Sequence, residues 1–237
     1  MDHTAQRDTR NQLLRAMRAE DFATLRPHLR HAELPLGEPL IRSHQPVEDL
    51  YFLDSGVASI TAEASQGRAE VGMTGREGMV GAVPVLLGSD RVASACFVQI
   101  AGAAWRIPAA ALSAATEASP SLHRLLLRYV QTELVQARHT AYVNATFTLE
   151  TRLARWLLMC HDRTDGDDLP LKHECLSMML GVQRSGVTLA LQNLKGGGGI
   201  RGRRGRVQIL DRERLRLVAN ASYGAAEAEY ARLIGGA

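Results

Sequence analysis

The segment that most constrains this chain is residues 171–210, which match the pattern of two helices joined by a sharp turn and followed by an arginine-rich hairpin. Gly181 lies where the chain must turn, and glycine adopts a positive φ there at little steric cost. A second helix should begin near Arg184. The apolar positions expected to face the core are Leu176, Met179 and Leu180 in the first helix and Val187, Ala190, Leu191 and Leu194 in the second.

The opposite face of the second helix carries polar groups and no carboxylate. Guanidinium, amide, hydroxyl and ammonium groups can hydrogen-bond to base edges in the major groove and contact phosphates. A strand pair expected over residues 200–210, with Gly202 and Gly205 as candidate turn residues, is typical of the wing of a winged helix. The residues predicted to bind DNA are Gln183, Arg184, Ser185, Thr188, Gln192 and Lys195 on the helix and Arg201, Arg203, Arg204 and Arg206 on the wing.

The charge distribution supports this interpretation. Residues 171–210 carry seven Lys or Arg against the single carboxylate of Glu174, a net charge of +6, whereas the whole chain is only +3. The remaining residues are therefore net negative, so the basic character is local, as expected for a surface that binds phosphates. A basic face that is merely solvated is the alternative.

The composition limits the classes of protein to which the chain can belong. The chain has 237 residues, 46% of them hydrophobic and 22% charged, which is ordinary for a globular protein. The sequence shows no apolar leader and no run long enough to span a membrane, so we expect a cytoplasmic protein without a membrane partner. Three scattered cysteines, Cys96, Cys160 and Cys175, predict neither a disulfide framework nor a metal cluster. No metal or cofactor is expected.

The first half of the chain has the sequence pattern of a β-sheet domain. Residues 1–12 are predicted to form a flexible N-terminus, and residues 13–118 a first domain. Nine glycines between residues 34 and 107 interrupt short apolar segments, which favours an antiparallel sheet with many turns. Residues 50–53 and 57–61, separated by Asp-Ser-Gly, are expected to pair as a hairpin.

Ser119 and Pro120 predict the start of a long helix over residues 119–146. Apolar and small residues repeat along it at heptad spacing, which favours a dimer seam; a stripe packed on the chain's own sheet is the alternative. Thr148 should cap the next helix within a DNA-binding domain at residues 147–215, and residues 216–237 form a helical tail of unassigned role. The predicted seam consists of Leu127, Val130, Leu134, Ala137, Ala141 and Asn144.

In the order of its elements, the chain resembles the Crp/Fnr family of bacterial transcription regulators. Its most specific segments are residues 51–57, Tyr-Phe-Leu-Asp-Ser-Gly-Val, and residues 180–187, Leu-Gly-Val-Gln-Arg-Ser-Gly-Val. The resemblance implies an α+β fold with an N-terminal, jelly-roll-like antiparallel β-roll similar to cyclic-nucleotide-binding domains, a dimerisation helix and a C-terminal winged helix-turn-helix. It also implies a homodimer that binds double-stranded promoter or operator DNA, with RNA polymerase as a candidate partner and the roll as sensor of a signal.

The sequence departs from this family at the nucleotide site. Members that bind cyclic nucleotides use a carboxylate for the ribose and an arginine for the phosphate, and this chain has Ala82 and Ser94 at those positions. A buried phosphate without a cationic partner is heavily penalised, so we expect no cyclic nucleotide; Arg91 is the one candidate substitute. Haem, with His31, His44, His123 or a cysteine as axial ligand, is a further alternative.

The reading helix also departs from the family pattern Ser-Arg-Glu-Thr-Val, because Ser185 replaces the usual glutamate that accepts from cytosine. The target sequence should therefore differ from the best-known family sites. The run of glycines at 196–199 is expected to make the start of the wing flexible.

Three classes of function fit features of the sequence to different degrees. The leading hypothesis is a homodimeric, sequence-specific DNA-binding regulator without catalytic residues. A small-ligand-binding module that acts mainly through its roll is the second. An enzyme on a cupin-like barrel is the third, and it is disfavoured because His173-Glu174 lacks the second histidine of a zinc motif.

Overall fold

An antiparallel β-roll forms the first half of the chain in the computed structural model, which describes residues 5–65 and 67–235. Short, glycine-bounded apolar segments form its strands, as the sequence predicts. The strands are β1 (Arg30–Leu34), β2 (Pro39–Ile41), β3 (Asp49–Leu53), β4 (Val57–Ala64), β5 (Gly67–Thr74), β6 (Met79–Val80), β7 (Ala95–Ile100) and β8 (Gly102–Pro108).

Within the described residues these strands form two four-stranded sheets, with the orders β1-β8-β3-β6 and β2-β7-β4-β5. The expected hairpin between residues 50–53 and 57–61 is wrong, because β3 and β4 belong to different sheets. The chain turns from one sheet to the other at Gly56, whose φ is +81°. A Cβ at Gly56 would lie 2.5 Å from the carbonyl oxygen of Ile100, so only glycine fits this corner.

The N-terminal segment is hydrogen-bonded to the roll from Thr9 onward, where the Thr9 hydroxyl donates to Asp54 at 2.7 Å. Asn11 is fully buried: its side-chain oxygen accepts from Leu14 N at 2.9 Å and so caps α1 (Gln12–Ala16). Its amide nitrogen donates to the carbonyls of Leu53 (2.8 Å) and Gly78 (2.7 Å). The prediction of a flexible segment over residues 1–12 is therefore wrong for this part, and residues 1–4 lie outside the described residues.

A long helix, α5 (Pro120–Thr146), crosses from the roll to the second half of the chain. Ser119 caps it by accepting from Leu122 N, and proline lies at its first turn, as predicted. Its buried face packs on the roll through an apolar cluster that includes Leu122, Leu126 and Tyr129. The other helices of this half are α2 (Ala19–Leu25), α3 (Ala82–Leu86) and α4 (Ala109–Ala118).

The second half is a helical unit with a small sheet. Thr148 caps α6 by accepting from Thr151 N, as predicted. This unit contains α6 (Leu149–Arg163), β9 (Asp168–Leu169), α7 (His173–Leu180), α8 (Arg184–Gly196), β10 (Ile200–Arg203), β11 (Arg206–Ile209) and α9 (Arg212–Ala219).

The C-terminal segment returns to the first half of the chain. Helix α10 (Ala225–Ile234) packs along α5, and Ile234 is buried in the same apolar cluster as Leu122. The hydroxyl of Tyr230 donates to the carbonyl of Glu77 at 2.5 Å. The segment thus joins the roll to the helical unit. Across the described residues, none of the helices has the length and apolar character needed to cross a membrane.

Candidate nucleic-acid interface

Helices α7 and α8 form the predicted helix-turn-helix. Gly181 ends α7 in the left-handed conformation with a φ of +63°. Val182 N donates to Ser177 O (3.0 Å) and Gly181 N to Met178 O (3.2 Å), which is the hydrogen-bond pattern of a Schellman motif. The expected core side chains of both helices are buried: Leu176, Met179, Leu180, Val187, Ala190, Leu191 and Leu194.

The other face of α8 is open to solvent. Thr188 is half-buried, and its hydroxyl donates to Arg184 O at 3.0 Å. The remaining candidate contacts on the helix surface are exposed side chains, namely Gln183, Arg184, Ser185, Gln192 and Lys195. The fold therefore places all six helical candidates on or beside one accessible surface.

Leu189 also lies on this surface and was missed in the sequence analysis. Its side chain is 60% exposed, and at about 100° per residue it projects within about 60° of both Ser185 and Gln192. An exposed leucine at a position where the helical pattern expects a polar residue was the available signal. In a major groove, such a side chain can contact a thymine methyl group.

Arg184 is paired within the helix-turn-helix. Its guanidinium lies 3.2 Å from the carboxylate of Glu174 on α7, and both side chains are largely exposed. An exposed pair of this kind contributes no more than about 1 kcal/mol. Arg184 can therefore exchange Glu174 for a base edge at small cost.

The wing is a tight hairpin with its arginines exposed. Arg203 pairs with Arg206 across the Arg204-Gly205 turn, where Gly205 has a φ of +71°. The suggestion that Gly202 is a turn residue is wrong, because it pairs with Val207 inside the ladder. β9 adds a third strand to this sheet in the described part of the chain, a strand too short to predict. The exposed arginines are Arg201, Arg203, Arg204 and Arg206.

The charges of the wing are available to a partner. Among residues 5–65 and 67–235, the arginines of this unit that form ion pairs are Arg163, Arg184, Arg212, Arg214 and Arg216, and none is a wing arginine. Gly198 and Gly199 close α8 with a second Schellman motif, in which Gly199 N donates to Leu194 O at 3.1 Å. The glycine run is therefore hydrogen-bonded at the point where flexibility was expected.

Buried polar contacts hold the helical unit against the roll. Trp156 Nε1 on α6 donates to Glu70 on β5 at 2.7 Å, and the Ser59 hydroxyl donates to the other oxygen of Glu70. Burial raises the pKa of Glu70 to about 7, although these two hydrogen bonds act to lower it. Arg163 Nε forms an ion pair with Glu77 at 2.7 Å.

Most of the predicted seam residues lie on the less buried side of α5, whereas Val130 packs against the apolar cluster of the roll. Leu127 and Leu134, seven residues apart, are 38% and 41% exposed. Val130 and Ala137 are half-buried, and Ala141 and Asn144 are exposed. Asn144 accepts from Arg152 Nε at 2.9 Å, so its amide is already engaged within the chain.

The cavity inside the roll is small and lacks a cation. It has a volume of about 110 Å³, and apolar side chains, Ser94 and the carboxyl group of Glu133 line it. Arg91 is exposed and bonded to Asp90 (2.7 and 2.8 Å), and it does not line this cavity. Among the residues that the structure describes, no group of three or more His, Cys, Asp or Glu is placed to hold a metal ion. The three candidate haem ligands, His31, His44 and His123, are exposed.

Comparisons with known domain families agree with this architecture. Residues 31–119 match the model described as a cyclic nucleotide-binding domain, and residues 151–218 match the model described as a Crp-like helix-turn-helix domain. The chain belongs to the Crp/Fnr family of transcription regulators. Helices α5 and α10 lie outside both matched ranges. No curated protein matches the chain in sequence.

Several solved structures share the fold. FixK2 from Bradyrhizobium japonicum aligns with a TM-score of 0.70 at 19% identity, covering 81% of this chain and 98% of that one. A putative Crp/Fnr regulator from Eubacterium rectale aligns with a TM-score of 0.69 at 17% identity, over 87% and 97% of the two chains. The regulator CLP of Xanthomonas campestris, described as responsive to c-di-GMP, aligns with a TM-score of 0.64 at 20% identity, over 81% and 99%.

Proposed function

We propose that this Crp/Fnr-type regulator is a homodimer that binds a specific two-fold-symmetric DNA site. The observation that carries the proposal is the surface of α8, where exposed polar side chains lie beside four wing arginines that are free of ion pairs within the described residues. Helix and wing present hydrogen-bond donors and positive charge on adjacent surfaces. A DNA target makes the cytoplasm the expected location and RNA polymerase the expected partner.

The two parts of the surface would have different roles. Arg184 begins α8, and the N-terminal residues of a recognition helix are those that reach base edges. Its guanidinium can bind guanine O6 and N7 with two hydrogen bonds. Arg203 and Arg204 lie at the tip of the wing and would contact phosphates, which positions the protein without reading sequence.

The exposed leucines of α5 support the dimer. Two copies of the seam, packed about a two-fold axis, would bury Leu127 and Leu134 against their equivalents. Small residues at Ala137 and Ala141 would allow the helices to approach closely. Two-fold symmetry would then place the two copies of α8 in successive major grooves, with half-site centres about 34 Å apart.

The roll would sense a signal other than a cyclic nucleotide. Its internal cavity of about 110 Å³ is well below the usual range for ligand pockets, which is roughly 300–1,000 Å³. Among the described residues that line it, none is cationic, so it offers a phosphate no countercharge. Both properties disfavour an anionic ligand at that position.

Substitutions at Arg184 and Arg204 test the proposal. Arg184→Ala should cost about 1–3 kcal/mol on the specific site and relax one position of each half-site. Arg204→Ala should weaken binding to all sequences equally and lower the slope of log affinity against log salt by about one. Affinities are measured by fluorescence anisotropy on specific and random duplexes over a salt series.

Arg26→Ala serves as the control, because Arg26 is an exposed arginine on the roll and far along the chain from both DNA-binding elements. It should leave both affinities and the salt slope unchanged. Equal losses on specific and random DNA for Arg184→Ala would refute its role in base recognition.

A further inference from the structure

A second cavity, of about 280 Å³, lies where the roll, α5, α6 and α10 meet. Thr74, Arg76 and Glu77 line it from the roll, and the ends of α6 and α10 close it. Because α5 and α10 lie outside the two family-model matches, much of its wall belongs to neither matched domain. The cavity adjoins the one inside the roll, with which it shares Glu133, and lies between the roll and the DNA-binding unit.

Most polar groups in the wall are already satisfied. Glu77 accepts from Arg163 Nε at 2.7 Å, and Gln136 accepts from Met73 N at 2.8 Å. Asp162 accepts from the Tyr223 hydroxyl at 2.6 Å and forms an ion pair with Arg212. The Arg76 guanidinium forms an ion pair with Asp165 at 3.0 Å, although its Nε is buried without a partner.

Glu133 and Glu227 are the exceptions. They face the cavity from α5 and α10, and in the described part of the chain neither forms an ion pair. One oxygen of Glu227 accepts from Gly224 N at 3.1 Å. The wall therefore contains two carboxyl groups in excess of its cations.

Glu133 is protonated, because the hydrogen-bonding groups around it would otherwise be one donor short. Its Oε1 lies 3.2 Å from the Tyr129 hydroxyl, which is also 3.0 Å from the Met79 carbonyl. The hydroxyl has one proton and cannot donate to both acceptors. A protonated Glu133 can donate to Tyr129 while Tyr129 donates to Met79. Burial, with the nearby charge of Glu77, raises the pKa of Glu133 to about 8, in agreement with this arrangement.

We propose that this cavity binds a small organic cation, a primary amine or guanidine, whose charged nitrogen replaces the proton of Glu133 and also contacts Glu227. The volume of the cavity limits the size of the ligand, since about 280 Å³ is at the lower limit for ligand pockets. Tyr129, Tyr223 and Tyr230 supply aromatic wall, a common environment for bound cations.

The location gives the ligand a regulatory effect, and this part of the inference rests on the proposed function. Arg163 belongs to α6 of the DNA-binding unit, whereas Glu133 belongs to α5 and Glu227 to the C-terminal helix. A ligand between these elements would favour one arrangement of roll and DNA-binding unit over others. Its differential affinity for the two arrangements would shift DNA affinity.

Titration calorimetry of the full-length protein tests the site, with butylamine, putrescine and agmatine as probes. We expect at least one to bind with a Kd of about 1 mM or below. Glu133→Gln and Glu227→Gln should each weaken binding by about tenfold or more, the loss of one charge-assisted hydrogen bond. Glu20→Gln, which changes an exposed carboxylate on the roll side, should leave the Kd unchanged.

Proton release is the second readout. At pH 7, in buffers of different ionisation enthalpy, the wild-type protein should release a proton as the amine binds, because Glu133 gives up its own. Wild type and Glu133→Gln share the other groups that face this position, namely Glu77, Arg163, Arg76, Asp162, Glu227 and the three tyrosines. The variant should therefore release no proton from this position.

Any one of three results would overturn the inference. None of the three amines binds saturably, both cavity variants keep the wild-type affinity, or the protein binds succinate instead of the amines. DNA binding is measured separately on the same preparation. Specific DNA binding without amine binding would refute this inference alone. Amine binding without specific DNA binding would refute the proposed function alone.

Discussion

Replacing Glu70 with glutamine should stabilise the protein at alkaline pH and have little effect at acid pH. Glu70 is buried between the roll and α6, and its ionised form loses its hydration there. Glutamine has nearly the same shape. Its carbonyl can accept from Trp156 Nε1, and its amide can donate to the Ser59 hydroxyl, so both hydrogen bonds of Glu70 can be kept.

The magnitude follows from the pKa. Glu70 has a pKa of about 7 in the folded protein, against 4.5 for the free side chain. Below pH 4.5 the group is protonated in both states and has no effect. Between these values the folded state binds more protons, so stability falls as pH rises. Above pH 7 the free energy of unfolding has lost its full amount, about 3 kcal/mol. This value is the difference between the two pKa values converted at about 1.4 kcal/mol per pH unit.

Urea unfolding of wild type and Glu70→Gln, measured from pH 4.5 to 8.5, tests this value. The difference in unfolding free energy should rise from near zero to about 3 kcal/mol in favour of the variant. Glu20→Gln should show no such trend. A difference that is independent of pH, or one that favours the wild type above pH 7, would show that Glu70 is not a destabilising buried carboxylate.

Two further predictions concern the dimer and the ligand. Leu134→Glu should convert the dimer to a monomer in sedimentation experiments and weaken operator binding by more than about tenfold, because it places like charges together at the seam. Leu36→Glu, at a leucine 65% exposed on the roll, should have neither effect. A Leu134→Glu protein that stays dimeric would refute the prediction that these residues form the dimer interface. Cyclic AMP and cyclic GMP should give no calorimetric signal, since the missing arginine is worth about 1.5–3 kcal/mol to a buried phosphate. Micromolar binding that disappears in Arg91→Ala would contradict the assignment of the cavity.

The features that could be predicted from sequence are those set by local chemistry. Gly181 identifies the turn because few other residues adopt its left-handed conformation cheaply. The helical spacing of Val187, Leu191 and Leu194 fixes the core face of α8 and, by exclusion, the surface offered to DNA. Ser119 and Thr148 mark helix starts because their side chains accept from backbone amides.

The features that were missed depend on contacts between distant residues. The pairing partners of β3 and β4 are set by the sandwich of two sheets, and the local turn at Gly56 gives no indication of that choice. Asn11 caps a helix of five residues but is held by carbonyls more than forty residues away. Helix α10 has an ordinary amphipathic pattern, and nothing local indicates that it packs against α5 and completes a cavity there.

Selection of bound sequences from a random DNA library tests whether the protein reads a two-fold-symmetric site. We expect enrichment of an inverted repeat whose half-site centres lie about 34 Å apart, each with a position that loses its preference when the selection is repeated with Arg184→Ala. Recovery of sequences with no common site, or of a single asymmetric half-site, would contradict a dimer that reads DNA through α8.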